Sequence, residues 1–143
     1  MSSENVEIIR RGFEGVNRVG MEALLDLMHP DFEATVSPEL SVEPDTYRGE
    51  EGMRRYFAAF EGVMEDVHFD ADELIGSGDK VFVSMRLTAK GMGTGIEVEQ
   101  RAYQVWTMRD GKALRADSFG DRSDALEAAG LAEAGPGGVP AGP

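Results

Sequence analysis

The chain has no cysteine, only two histidines and a single tryptophan among 143 residues. Without thiols there is no disulfide framework, no thiolate nucleophile and no thiolate metal site. His29 and His68 show neither HxH nor HExxH spacing, so no metal is implied. His29 precedes Pro30 and reads as a helix C-terminus, where a cation or capping donor is favourable. His68 alternates with Val67 and Phe69, and faces solvent if those two are buried. Basic residues are also scarce, 14 against 27 acidic, for a net charge of −13. Such a surface repels phosphate, which argues against nucleic acid and anionic membranes as partners. No stretch approaches the roughly 18 apolar residues of a membrane span. The opening "MSSENVEIIRR" carries charges where a secretory signal needs an apolar run, so a cytoplasmic location is expected.

What is present is an ordinary globular balance of 41% hydrophobic and 29% charged residues, at single-domain length. Ser3 is placed to cap a helix carrying Val6, Ile9, Phe13 and Val16 at helical spacing. That helix ends near Gly20. A shorter one over residues 21–28 presents Leu24, Leu25 and Met28, and Pro30 stops it. "DFEATV" alternates as a short strand. "SPELSVEPDTYRGE" has two prolines and no period, and reads as a loop. From Glu50 a third helix sets Met53, Tyr56, Phe57, Phe60 and Val63 or Met64 on one face.

The period then changes from 3.6 to 2. "VHFDADEL", "KVFVSMRLTAK", "GIEVEQRAYQVWTM" and "KALRADSF" are four strands separated by "GSGD", "GMGTG" and "RDG". "GMGTG" lies between strands and lacks a GK[ST] ending, so it is a hairpin rather than a phosphate loop. Residues 121–131 suit a short helical turn. Helices followed by a strand meander predict an α+β fold, a curved antiparallel sheet with three N-terminal helices packed on one face. Residues 1–133 form the domain. Residues 134–143 are a Gly/Pro-rich tail with no apolar face to bury, and are expected to be disordered.

The segments "IIRRGFEGVNRVGMEALLDLMHPDFEATV", "YRGEEGMRRYF" and "RDGKALRADSFGD" together resemble the SnoaL-like polyketide cyclases of the nuclear transport factor 2-like superfamily. The resemblance covers roughly residues 4–131. It implies a cone-shaped domain with an apolar cavity between sheet and helices, often a homodimer through the outer sheet face. It also implies no cofactor. The superfamily holds isomerases, cyclases, other lyases and noncatalytic binders, so fold alone does not name a reaction.

In the cyclases an aspartate removes a proton beside a carbonyl, and a histidine on the neighbouring strand assists. Alignment on Asp110, Gly111 and Lys112 places those positions at Ser118 and Gln104, which can supply neither group. If Asp110–Gly111 forms a two-residue turn, Gln104 lies opposite Asp117. If Gly111 sits in a G1-bulged loop, Gln104 lies opposite Ser118, and Asp117 faces outward with Arg115 and Phe119. The family alignment selects the second register. An isomerase base would fall near Ser37, Pro38 and Glu39, and an epoxide hydrolase would need an acid two residues from Arg86 or Arg101. Neither pattern is complete.

The expectation is therefore a domain that binds a small hydrophobic molecule. Gln104 and Ser118 are its polar contacts, Trp106 is a wall, and Tyr56, Phe57 and Phe60 line it or belong to the core beside it. The alternatives are a cofactor-independent isomerase, cyclase or other lyase acting on a carbonyl or polyketide-like substrate, and a structural dimerisation module. The only carboxylates to weigh as bases are Asp117, Glu33 and Glu39. Val81, Val83, Tyr103 and Val105 suggest an apolar sheet face that a second copy covers.

Overall fold

A computed structural model describes residues 2–36, 46–60 and 62–131. The helices α1 (Ser2–Val19) and α2 (Glu22–Leu27) lead into the strand β1 (Met28–Val36). After β2 (Thr46–Arg48) come α3 (Gly49–Ala58) and the strands β3 (Met64–Ser77), β4 (Lys80–Gly91), β5 (Glu97–Arg109) and β6 (Lys112–Phe119), then α4 (Arg122–Ala128). The six strands form one sheet in the order β2-β1-β6-β5-β4-β3. Every pairing is antiparallel except β1 with β6, which is parallel. The architecture is the α+β class expected from the sequence.

Period-2 alternation sorts β4 cleanly. Val81, Val83, Met85 and Leu87 join the main core with Trp106, Ile9 and Phe32, while Ser84, Arg86 and Thr88 stand on the other face. Helix α1 lies against β3 and is tied there by one side chain. Asn17 Nδ2 donates to the Phe69 carbonyl at 2.6 Å, and the Phe69 N–H donates to Asn17 Oδ1 at 2.8 Å. Asn17 thus stands in for a neighbouring strand on the free edge of β3. Asn17→Ala should strand both backbone groups and lower stability by about 1–2 kcal/mol, read as a shift of the urea midpoint. Close approach of α1 and α2 depends on Gly15, where an added Cβ would lie 2.8 Å from Ala23 Cβ.

Several local expectations are corrected. Met28 is extended (φ −77, ψ 138) and begins β1, so His29 and Pro30 belong to a strand rather than a helix end. His29 Nδ1 accepts from the Asp31 N–H at 3.0 Å instead of capping. The cation at the end of α2 is Lys112, whose Nζ donates to the Asp26 carbonyl at 2.9 Å. The proline-containing loop hides a short strand, β2, held to β1 by pairing of Ala34 with Tyr47. Helix α3 stops at Ala58, so Met64 starts a strand and Val63 is exposed. The tail beyond residue 131 lies outside the described residues.

The outer sheet face is not left bare. Helix α4 covers Phe82 and Val105 with Ala125, Leu126 and Ala129 in a second small core, and Tyr103 and Phe119 pack at its margin. Asp121 caps this helix by accepting the Asp124 N–H at 3.2 Å. Val81 and Val83 are interior, so the residues that suggested an apolar partner face are covered by the chain itself. What remains outward is polar, with several charged side chains in pairs. Arg101 pairs with Asp72 at 2.9 Å, and Arg86 lies 3.4 Å from Asp70 and 3.3 Å from Glu99.

Candidate functional site

The inner face of the sheet and the helices α1–α3 do not quite meet, and a cavity of about 90 Å³ lies between them. Strand alternation decides what enters it. Gln104 and Trp106 come from β5, Ala116 and Ser118 from β6, Ala34 and Val36 from β1, Phe69 from β3 and Met85 from β4. The helices contribute Ile9, Phe13 and Val16 from α1, and Met53, Tyr56 and Phe57 from α3.

The polar end of the cavity depends on the β5–β6 register. Asp110 (φ 52) and Gly111 (φ 78) both have positive φ, which is the two-residue primed turn, and Arg109 pairs directly with Lys112. The shift comes three residues later. Met108 pairs with Ala113 but Thr107 pairs with Arg115, so Leu114 is an extra, bulged residue. From there on Gln104 lies opposite Ser118 and Val105 opposite Asp117. The register is the one selected by the alignment, but a bulge inside the strand produces it, not a G1-bulged loop.

Trp106 is 7% exposed and meets Phe13 edge-on and Phe32 tilted, each with ring centroids 6.2 Å away. Its indole Nε1 donates to Gln104 Oε1 at 2.9 Å, and Gln104 Nε2 donates to Ser118 Oγ at 3.2 Å. Tyr56 sits among Tyr47, Phe57 and Phe60, with ring centroids 5.2, 5.6 and 5.3 Å away. Burial pushes its hydroxyl up to about 12, with a further contribution from Tyr47. A phenol whose folded pKa is raised stabilises fully below the unfolded value, near 10, and loses that contribution as pH climbs toward 12. Unfolding midpoints should therefore fall more steeply above pH 10 in the wild type than in Tyr56→Phe.

The remaining sequence candidates are distributed as follows. Phe57 lines the cavity, whereas Phe60 sits one ring further out, against Tyr56 and Phe69. Asp117 and Glu33 face outward. Asp117 accepts from Thr35 Oγ1 at 2.6 Å and from Arg115 Nε at 2.9 Å. Glu33 accepts from Arg115 Nη1 at 2.9 Å and Arg48 Nε at 3.0 Å. The hydrogen bond from Arg48 holds its carboxyl below the usual range, helped by the charges of Arg48 and Arg115. Glu39 lies outside the described residues. Arg86 and Arg101 point to the outer face, away from the cavity. The sequence marked Phe13 only by its helical spacing and gave Phe32 and Met85 no role in the site, because periodicity shows which side chains turn inward but not where the interior is left unfilled.

Among the described lining residues, none is Asp, Glu, His, Lys or Arg. No group of His, Asp or Glu among the described residues could hold a metal ion. The described lining can hydrogen-bond and enclose, and among its residues none is suited to take a proton from carbon at neutral pH. At about 90 Å³ the cavity is smaller than the roughly 150 Å³ that admits benzene. A larger molecule requires Met53 and Met85 to yield, which unbranched thioethers do readily.

The sequence pattern of the SnoaL-like domain matches residues 9–116. No curated protein matches the chain. Among solved structures, TerC co-crystallised with polyporic acid is 28% identical, with a TM-score of 0.72 over 82% of this chain and 92% of that one. A putative SnoaL-like polyketide cyclase from Jannaschia sp. CCS1 is 23% identical, with a TM-score of 0.68 over 82% and 85%. A protein of ketosteroid isomerase-like fold from Catenulispora acidiphila DSM 44928, in complex with trimethylamine, is 18% identical, with a TM-score of 0.68 over 87% and 93%. At these last two identities the likeness is one of fold.

Proposed function

The chain belongs to the SnoaL-like domain family, and from that premise we propose that it binds a small, mostly hydrophobic molecule between helices and sheet without catalysing its reaction. The supporting observation is the cavity lining, which is apolar, carries one polar corner at Trp106, Gln104 and Ser118, and contains no carboxylate or imidazole among the described residues. Two relatives hold small organic molecules, polyporic acid in one and trimethylamine in the other. The unfilled cavity also speaks against a purely structural module, for which close packing would be the stable end point.

Titration with small ketones and hydrocarbons, followed by the fluorescence of Trp106, should show saturable binding. Deuterium exchange beside the carbonyl of a bound ketone should not exceed the buffer rate. Exchange well above buffer that disappears in Glu39→Gln or Asp117→Asn would replace the binder with an isomerase, cyclase or other lyase.

A homodimer through the outer sheet face, in the cytoplasm, belongs to the same reading. No described helix is long and apolar enough to cross a membrane. The proposed interface is polar, with Arg101 paired to Asp72 and Arg86 set between Asp70 and Glu99. Sedimentation at micromolar concentration should give a dimer that weakens with added salt. A 15.5 kDa species alone would remove this part of the proposal.

A further inference from the structure

Apolar side chains scattered singly on a surface are ordinary, but a contiguous group rimmed by polar residues marks a contact site. Of the four large exposed hydrophobics among the described residues, three stand together: Val63, Met92 and Ile96, 57%, 47% and 65% exposed. The backbone holds them side by side at one end of the sheet. The Met92 N–H donates to the Val63 carbonyl at 2.9 Å, and the Gly91 N–H donates to the Ile96 carbonyl at 2.8 Å. Gly93 (φ 84) and Gly95 (φ 70) make the turn that brings Ile96 back beside Gly91. The next row of the sheet is acidic. Glu65 stands opposite Lys90 and Lys90 opposite Glu97, with the exposed Asp66 beside them. Three carboxylates thus share one ammonium in that row, Lys90, whose Nζ lies 3.9 Å from Asp66. A groove of about 330 Å³ opens there, with Asp66, Ala89, Glu97 and Val98 in its lining.

We infer that this end of the sheet docks a short basic segment of a partner protein. Its apolar side chains cover Val63, Met92 and Ile96, and its lysines or arginines lie among Glu65, Asp66 and Glu97. The inference goes beyond the cavity and does not depend on what binds there. Charge decides the class of occupant. An anionic lipid surface would meet these carboxylates on a chain of net charge −13. A second copy set face to face here would bring each carboxylate against its own equal, which is repulsive. Three apolar side chains are also few beside the roughly 20–30 residues a side of a stable protein interface, whereas they suit a short segment. The groove fits the same occupant. A lysine or arginine lays its methylenes on an apolar lining such as Ala89 and Val98 and keeps its charge at a carboxylate.

The test titrates the full chain with the blocked peptide Lys-Leu-Lys-Lys-Leu-Lys and follows the backbone amide resonances. Two control peptides, Lys-Gly-Lys-Lys-Gly-Lys and Glu-Leu-Glu-Glu-Leu-Glu, remove the apolar groups or reverse the charge. The first peptide should shift the amides of Val63, Met92 and Ile96 saturably, and each control should bind about tenfold more weakly. Met92→Ser combined with Ile96→Ser should weaken the first peptide about tenfold. Glu65→Gln combined with Glu97→Gln should weaken it about fivefold and flatten its salt dependence. Glu127→Gln, an equal loss of charge on α4, should change neither. These five positions are all exposed, and circular dichroism verifies that each variant keeps the fold. The inference is overturned if the first peptide gives no saturable shift, if the glycine peptide binds as tightly, or if the shifts spread over other acidic surface. Amides of the patch that move on dilution without peptide would assign it to a second copy instead. Amides that respond to phosphatidylcholine vesicles but not to the peptide would assign it to a lipid surface.

Discussion

Trp106→Ala should lower the stability of the domain by about 3–5 kcal/mol and abolish ligand binding, the largest effect expected of any single substitution in the site. The side chain is 7% exposed and forms the floor between Phe13 on α1 and Phe32 on β1. Removing it merges an existing 90 Å³ void with the volume of an indole, and helices on one side and sheet on the other limit collapse. The Gln104 oxygen loses its donor at the same time, so the amide is free to turn and Ser118 loses its fixed partner. Because the reporter tryptophan is deleted, the measurement is urea unfolding followed by circular dichroism. Trp106→Phe separates the two contributions: it keeps most of the ring packing and loses only the hydrogen bond, at about 1–2 kcal/mol. A cost below 1 kcal/mol for the alanine variant would show that the indole is not part of the core that shapes the cavity.

Local periodicity was enough to place most of the frame. Val6, Ile9, Phe13 and Val16 mark the inner face of α1, and the alternation through Val81, Val83 and Met85 marks that of β4, because each signal is written within a dozen residues. Pairings between distant segments carry no such signature. The parallel contact of β1 with β6 joins Thr35 to Asp117 across 82 residues, and nothing near either residue announces it. The same is true of Lys112 capping α2. Strand β2 was concealed by the prolines around it, and the cover that α4 lays over Phe82 and Val105 lay beyond any strand pattern.

For the site, the juxtaposition of Gln104 with Ser118 was legible only through the family resemblance. The turn sequence alone, Asp110–Gly111, is a good two-residue turn and indeed forms one. Taken by itself it would have set Gln104 against Asp117. One bulged residue, Leu114, reverses that outcome, since a one-residue slip exchanges the faces of every later residue in the strand. A bulge of this kind has no obligatory residue type, so sequence pattern does not reveal it. The hydrogen-bond relay from Trp106 to Ser118 follows from the slip, and so does the outward position of Asp117.

That outward position is less passive than a solvated charge. The Asp117 side chain is 20% exposed, and it collects the Thr35 hydroxyl at 2.6 Å and Arg115 Nε at 2.9 and 3.0 Å. Arg115 continues to Glu33, and Glu33 to Arg48, so one charged chain crosses β6, β1 and β2. It clasps the parallel pair that carries Val36 and Ser118 into the cavity wall. Asp117→Ala should therefore destabilise by about 2–3 kcal/mol, the range for a charge-assisted bond removed from a partly buried site, rather than the few tenths of an exposed substitution. Asp117→Asn keeps an acceptor for Thr35 and should cost about half as much. The loss should persist in high salt, since partly buried pairs are screened far less than exposed ones. A double-mutant cycle of Thr35→Val with Asp117→Ala should return a coupling of about 1 kcal/mol, because two groups in one hydrogen bond are not additive. Zero coupling, or a loss below 0.5 kcal/mol for Asp117→Ala, would mean that the parallel pair is held by backbone bonds and by burial of Ala34 and Ala116, with the charged chain merely lying on top.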